Sequence, residues 1–225
     1  ISTSHQTTPL MKFVSRGDTT VVDAYLSPIL RRYITKIENE LEGVPIYFMQ
    51  SNGGLTNATH FKGKDAILSG PAGGIVGAVK TATLSGYDKL ICFDMGGTST
   101  DVSHYNGAFE RTYETVLAGV SMRTPMMNIH TVAAGGGSIL HYDGNRFRVG
   151  PDSAGAEPGP CCYRNDGPLT VTDCNLLLGY INPSYFPATF GKTAAQSLDI
   201  KSVKTKFIKL GARISSHKNI EDIAE

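Results

Sequence analysis

The sequence predicts an α/β fold. Segments with apolar residues at helical spacing alternate with short apolar runs that end in glycine turns. A third observation sharpens this: the 25 glycines cluster at 53–54, 70–77, 96–97, 135–137 and 155–159. Apolar segments separate the clusters. They therefore mark sharp turns or close approaches of backbone, not low complexity.

Taken in order, residues 18–42 are expected to form a helix. Val21, Val22, Tyr25, Leu26, Ile29, Leu30, Tyr33, Ile34 and Ile37 fall near helical spacing, with Pro28 placed to bend it. GVPIYFMQSNGG (43–54) reads as a strand that is apolar throughout, as in a sheet covered on both faces, and then turns. Residues 65–86 read as a helix with Pro71 in the first turn and Gly86 at the end. Glycine inside a helix costs about 1 kcal/mol relative to alanine, so a close helix crossing or a ligand should offset Gly73, Gly74 and Gly77. DKLICFDM (88–95) is a strand, GGTS (96–99) turns it, and TDVSHYN (100–106) is a second strand. Asn106-Gly107 is a hairpin turn, and AFERTYETV (108–116) completes the expected meander. More strand follows across 127–151, with a hairpin tip at Asp143-Gly144. A Gly-Pro-rich loop covers 150–163. A helix spans 170–181, capped by Thr172 or Asp173. The tail from Lys192 is mostly helical, and Asn219 starts a last helix.

Composition excludes several functions. A formal net charge of +1 offers no bulk attraction for nucleic acid or anionic membranes. No apolar run approaches the roughly 20 residues of a membrane span. Cys92, Cys161, Cys162 and Cys174 form no C-x-x-C pair, which argues against a zinc site or disulfide framework and for a reducing, cytoplasmic location. The histidines show no H-x-H or H-x-x-x-H pair. The polar start without Met, and the final helix that begins and stops, lead us to expect a fragment.

The chemistry concentrates in FDMGGTSTDVS (93–103). A strand delivers Asp94 to its end. Gly96 and Gly97 let the backbone turn so that successive N–H groups share one concavity, a nest suited to phosphate. Thr98, Ser99 and Thr100 add hydroxyls. Asp94 and Asp101 could hold a hydrated Mg²⁺, or Asp94 could orient a water or hydroxyl for phosphoryl transfer. The plainer reading is a hairpin with a polar tip. Gly135, Gly136 and Gly137 either approach a nucleotide or make a tight inter-strand turn. The loop 152–160 either lines a cleft or is a rigid surface loop.

Six segments in order, RGDTTVVDAYLSP (16–28), FMQSNGGLT (48–56), AILSGPAGGIVGA (66–78), FDMGGTSTDVSHY (93–105), TVAAGGGSI (131–139) and 149–181, resemble the hydantoinase/oxoprolinase family in its A-type form. Within it the chain is most similar to ATP-dependent 5-oxoprolinases. LICFDMGGTSTDVS is also similar to the second phosphate motif of the actin, sugar-kinase and heat-shock chaperone superfamily. The resemblance implies part of an RNase H-like lobe architecture across 1–225: about 1–64 closing a first lobe, about 65–86 a connecting helix, and about 87–225 a second lobe. It implies ATP, Mg²⁺, a cyclic amide substrate, a B-type subunit or domain as partner, and oligomers at full length. By analogy Asp94 contacts Mg²⁺ or its waters, Gly96, Gly97, Thr98 and Ser99 hold phosphate, and Asp101 supports the turn or metal. ATP phosphorylates a ring carbonyl oxygen, and water then opens the ring.

The family's N-terminal D-x-G-G-T-x-T-D motif and its later adenosine motif are not found in these residues, so the chain alone is expected to bind ATP weakly or not at all and not turn over. Cys161 and Cys174 stand where alanine is expected, and a small apolar role fits both. Two other classes compete. Ala72-x-Gly74-x-x-Gly77 with Asp94 at a strand end mimics a dinucleotide-binding Rossmann unit. A non-catalytic actin-like or regulatory module is the other, since a fold alone does not decide activity.

Overall fold

The computed structural model describes residues 1–225 except 118, 192 and 215–218. The chain divides into two compact units. One comprises Ile1–Asp94 and Val102–His130, the other Met95–Asp101 and Thr131–Glu225. These cuts fall elsewhere than 64 and 86, where the resemblance draws its lobes.

The first unit opens with α1 (Ser4–Thr7) and the long α2 (Phe13–Glu40). The latter starts ahead of the expected Asp18. Its first turns are fastened where the Thr19 hydroxyl donates to Ser15 O at 2.7 Å and accepts the Arg123 N–H at 2.8 Å. The helix runs on through Pro28. Its apolar residues split between two sides. Ile34 is buried, whereas Val21, Tyr25, Ile29 and Tyr33, four residues apart on one face, are 55–74% exposed.

β1 (Tyr47–Met49) pairs antiparallel with β2 (Leu55–Asn57). The expectation of a strand covered on both faces is corrected here, because these two strands form a sheet by themselves and Tyr47 is exposed. Between them Gly53 takes φ +81°, open to glycine without strain, and Asn52 Oδ1 accepts the Gly54 N–H at 2.7 Å.

The single helix expected over 65–86 is two, α3 (Gly63–Ala66) and α4 (Ser69–Leu84). Buried Ser51 causes the break: its hydroxyl donates to Asp65 O and accepts the Leu68 N–H, diverting both groups from a continuous helix. α4 turns Ala72, Ile75 and Val79 inward against Met127. Gly86, at φ +87°, follows its end.

β3 (Lys89–Met95) and β4 (Thr100–Asn106) flank the glycine turn as expected. Then come β5 (Arg111–Thr112), β6 (Thr115–Leu117), β7 (Val120–Met122), β8 (Met126–Met127) and β9 (His130–Val132). The three-stranded sheet has the order β3-β4-β9. The third strand is therefore β9, not 108–116. The latter keeps one bridge to the meander, Tyr105 to Phe109, and then breaks up, with β5 pairing β8 and β6 pairing β7. Because β4 doubles back beside β3, the Gly-Gly turn is a hairpin. A Rossmann unit would enter a helix there, so that alternative is set aside.

In the second unit β10 (Ser138–Tyr142) and β11 (Phe147–Ser153) make a hairpin. At its tip Asp143 Oδ1 accepts the N–H groups of Asn145 and Arg146 at 3.0 Å each. α5 (Val171–Leu177), α6 (Ile200–Arg213) and α7 (Ile220–Ala224) complete the unit. Asp199 caps α6, accepting from Lys201 and Ser202, and Asn219 caps α7 as expected. The core joins Cys161, Cys162, Cys174, Leu176, Leu177, Leu198, Val203 and Phe207. Among the described residues no helix is long and apolar enough to cross a membrane.

Candidate functional site: the glycine turn and its buttress

The second unit holds most of the residues singled out from the sequence. The Gly96 N–H donates to Ser99 O at 2.9 Å, closing the hairpin. Behind it lies the segment Gly135–Gly137. The Gly136 N–H donates to Gly96 O at 2.9 Å, and the Gly137 N–H to Gly97 O at 2.6 Å. The two glycine clusters therefore meet backbone to backbone.

This contact explains the second cluster. A Cβ on Gly135 would stand 2.7 Å from Gly96 O and from Gly97 C and O. On Gly136 it would meet Thr172 Oγ1 at 2.7 Å, and on Gly137 it would meet Gly97 O at 2.8 Å. The N–H of Gly135 goes to the buried Ser138 hydroxyl at 3.0 Å. All three N–H groups are thus used inside the protein. The triplet packs tightly against the turn, and each of its three N–H groups already has an acceptor in the protein.

The same hydrogen bonds orient the first cluster. The peptides joining 96 to 97 and 97 to 98 are trans. In a planar trans peptide C=O and N–H point in opposite directions. Tying the Gly96 and Gly97 carbonyls backward turns the Gly97 and Thr98 N–H groups forward, where both residues are exposed. Among the described residues, the N–H groups of Gly97, Thr98 and Ser99 and the hydroxyls of Thr98 and Ser99 have no partner within the protein. A Cβ on Gly97 would have nothing within 4 Å, and its φ lies outside the left-handed region. Neither packing nor conformation within this chain calls for glycine there.

The flanks are tied down. The Thr100 hydroxyl donates to Ala134 O at 2.6 Å, and the Thr131 hydroxyl to Asp101 Oδ1 at 2.6 Å. Asp101 thus braces β4 against β9. The loop after β11 is tethered too, since the Ala154 N–H donates to Gly137 O at 2.8 Å. Asp94 is described with the first unit, two residues ahead of Gly96 in the chain. It is exposed, has no hydrogen bond or ion pair among the described residues, and its Oδ2 lies 4.0 Å from where a Cβ of Gly74 would be. No cluster of three or more His, Cys, Asp or Glu side chains suited to a metal occurs among the described residues.

Deeper in the second unit sits a polar hub around Asp173, a residue whose place in the sequence reads first as a helix cap. Asp173 is fully buried. It accepts from the N–H groups of Cys161 at 3.0 Å, Cys162 at 2.9 Å and Thr170 at 2.9 Å, and from the Thr170 hydroxyl at 3.0 Å. The N-cap of α5 is Thr170, not Thr172 or Asp173, and Asp173 is its capping-box partner. Thr172 instead reaches the glycine triplet: its N–H and its hydroxyl both donate to Gly136 O at 2.8 Å. The cysteines around the hub are free thiols. Burial, and then the negative charge of Asp173, raise Cys161 and Cys174 from an ordinary 9.0 to about 11, and Cys162 further. Such thiols are poor nucleophiles, in line with the apolar role expected for Cys161 and Cys174.

The family model for hydantoinase/oxoprolinase matches residues 16–225. The chain belongs to the hydantoinase/oxoprolinase family. It is 48% identical to 5-oxoprolinase 1 of Arabidopsis thaliana over 227 residues, covering 99% of this chain and 18% of that protein. The alpha chain of the caprolactamase of Pseudomonas jessenii is 40% identical over 192 residues, covering 80% of this chain and 27% of its own length. The crystal structure of that ATP-dependent caprolactamase superposes with a TM-score of 0.72 at 34% identity, over 99% of this chain and 33% of its own. Nucleotide-free acetone carboxylase gives a TM-score of 0.78 at 28% identity, over 98% of this chain and 31% of its own. The fold is of the actin-like ATPase type. The chain spans less than a fifth of the length of 5-oxoprolinase 1 and about a third of each solved relative.

Proposed function

We propose that this chain supplies a phosphate-binding turn to an ATP-dependent cyclic amide hydrolase, with 5-oxoproline as the substrate its 48% identity to 5-oxoprolinase 1 favours. One observation carries the reading: the Gly97 and Thr98 N–H groups face outward with no partner among the described residues, while the carbonyls of Gly96 and Gly97 are held from behind. Fixed donors aimed at an anion need no reorganisation as charge develops, which is how such sites stabilise phosphoryl transfer. The hydroxyls of Thr98 and Ser99 extend the same donor set, which fits a triphosphate. Transfer of the terminal phosphoryl group would break the bond to ADP and form one to the ring carbonyl oxygen; water would then add to the activated carbon, the C–N bond would break with the nitrogen taking a proton, and inorganic phosphate would leave.

Mg²⁺, when bound with the nucleotide, would neutralise phosphate charge. Asp94 suits it through water, being a single exposed carboxylate with no competing partner among the described residues. Asp101, already committed to Thr131, suits support of the turn rather than the metal. The remaining nucleotide contacts, a B-type subunit or domain and higher assembly belong to the full-length protein; the naming of the caprolactamase relative as one of several chains supports such a partner. Four free cysteines support a reducing, cytoplasmic location.

Phosphate release from the full-length protein with its B partner, screened across 5-oxoproline, hydantoin and caprolactam, tests the function. Turnover dependent on both ATP and one of these amides is expected. Asp94→Ala should abolish it, more than about 100-fold, while leaving expression intact. No ATP hydrolysis with any amide, together with a partner complex broken by Asp94→Asn, would establish the regulatory-module alternative instead.

A further inference from the structure

We propose that Thr172 is a positioning residue for the phosphate turn, acting through Gly136. The proposal rests on the phosphate-binding reading of Gly96–Ser99. Thr172 places two donors, N–H and hydroxyl, on one acceptor, the Gly136 carbonyl, each at 2.8 Å. Gly136 in turn donates its own N–H to Gly96 O. Glycine has no side chain to limit its backbone rotation, so the orientation of the Gly136 peptides is set by what grips them. The Thr172 hydroxyl grips one end, and Gly96 takes the other.

The base of this chain of contacts is tied at several points. Thr172 sits one residue before Asp173, whose buried carboxylate joins the start of α5 to the N–H groups of Cys161 and Cys162. The line runs from hub to helix start, from Thr172 to Gly136, and from Gly136 to the peptide that aims the Gly97 N–H. Both hydrogen bonds of Thr172 go to Gly136 and none to Gly97 or Thr98, so its effect on a phosphate is through orientation.

The test uses the full-length protein and compares Thr172→Val with Thr172→Ser. Valine keeps the branched shape and the backbone N–H bond but removes the hydroxyl, so the Gly136 carbonyl keeps one donor and the fold should persist. Thr172→Val should weaken the Kd of ATP, measured by calorimetry, about tenfold, equal to about 1.4 kcal/mol. The KM of the amide should stay within twofold, and the melting temperature within a few degrees. Thr172→Ser should restore the ATP Kd. The proposal is overturned if Thr172→Val binds ATP as the wild type does. It is equally overturned if Ser and Val lose binding alike, or if the amide KM and melting temperature shift with the ATP Kd, since each marks a merely structural role. Asp94→Ala measured alongside separates the two levels. If it keeps ATP-coupled turnover, the phosphate reading itself has failed; if it loses turnover while Thr172→Val is unaffected, only the role of Thr172 has.

Discussion

Two glycines a short distance apart in this fold have opposite reasons to be glycine. Gly135 has no room: a methyl group there meets backbone atoms at 2.7 Å, and backbone cannot step aside as a flexible side chain can. Gly135→Ala should destabilise the protein by about 1–3 kcal/mol, visible as a lower urea midpoint. Gly97 has room within this chain and an ordinary φ. Gly97→Ala should melt at or slightly above the wild-type temperature, because it restricts the unfolded chain by about 0.4–1 kcal/mol, yet bind ATP more weakly. A Gly97→Ala protein with unchanged ATP affinity would argue against ligand approach at that residue. Asp173 is buried and accepts four hydrogen bonds, so substitution there is costly. Asparagine would present an amide to N–H donors that need an acceptor, so Asp173→Asn should lose about 3 kcal/mol, read by denaturant unfolding.

Elements whose signals are local were legible in the sequence. The Gly-Gly hairpin follows from a short apolar strand, a turn and a second strand adjacent in the chain, and the Asp143-Gly144 tip and the Asn219 cap are of the same kind. Elements decided by distant partners were not. Residues 108–116 have strand character, but the place beside β4 goes to β9, and nothing local chooses between them. The gap between α3 and α4 depends on Ser51, which is remote from it in sequence. The candidate turn was legible from its glycines and hydroxyls, whereas its buttress was not. Gly135–Gly137 left two readings open because only the fold shows where their N–H groups go, and a threonine near a helix start resembles a cap until its acceptor is known. α4 remains exposed along Gly70, Gly74 and Gly77, and apart from the adjacent backbone of the helix itself no described atom lies within 4 Å of a Cβ on Gly70 or Gly77.

For the chain as a whole, two features predict bulk behaviour. In the unfolded chain the thiols ionise near the ordinary 9.0, whereas folded Cys161 and Cys174 ionise at about 11. The folded form therefore holds more protons between these values. Their stabilising effect is complete below pH 9 and is lost as pH rises toward 11, by up to about 1.4 kcal/mol per pH unit for each thiol. Urea midpoints across roughly pH 8–11 should fall in that window, and less steeply in a Cys161→Ala, Cys174→Ala protein. The second feature is uncovered apolar surface: Val21, Tyr25 and Tyr33 on α2, and Ile91 and Phe93 on β3, are each more than half exposed. Patches of this kind drive association. Sedimentation velocity of the 225 residues at tens of micromolar should show species heavier than 24.1 kDa, and a clean monomer would contradict this. At the turn, the backward tether of Gly96 and Gly97 also has a kinetic signature. In amide hydrogen exchange, Gly136 and Gly137 should be slow and Gly97 and Thr98 fast, so one pair of peptide planes reports a closed side and an open side at once. A bound triphosphate would slow only the open pair.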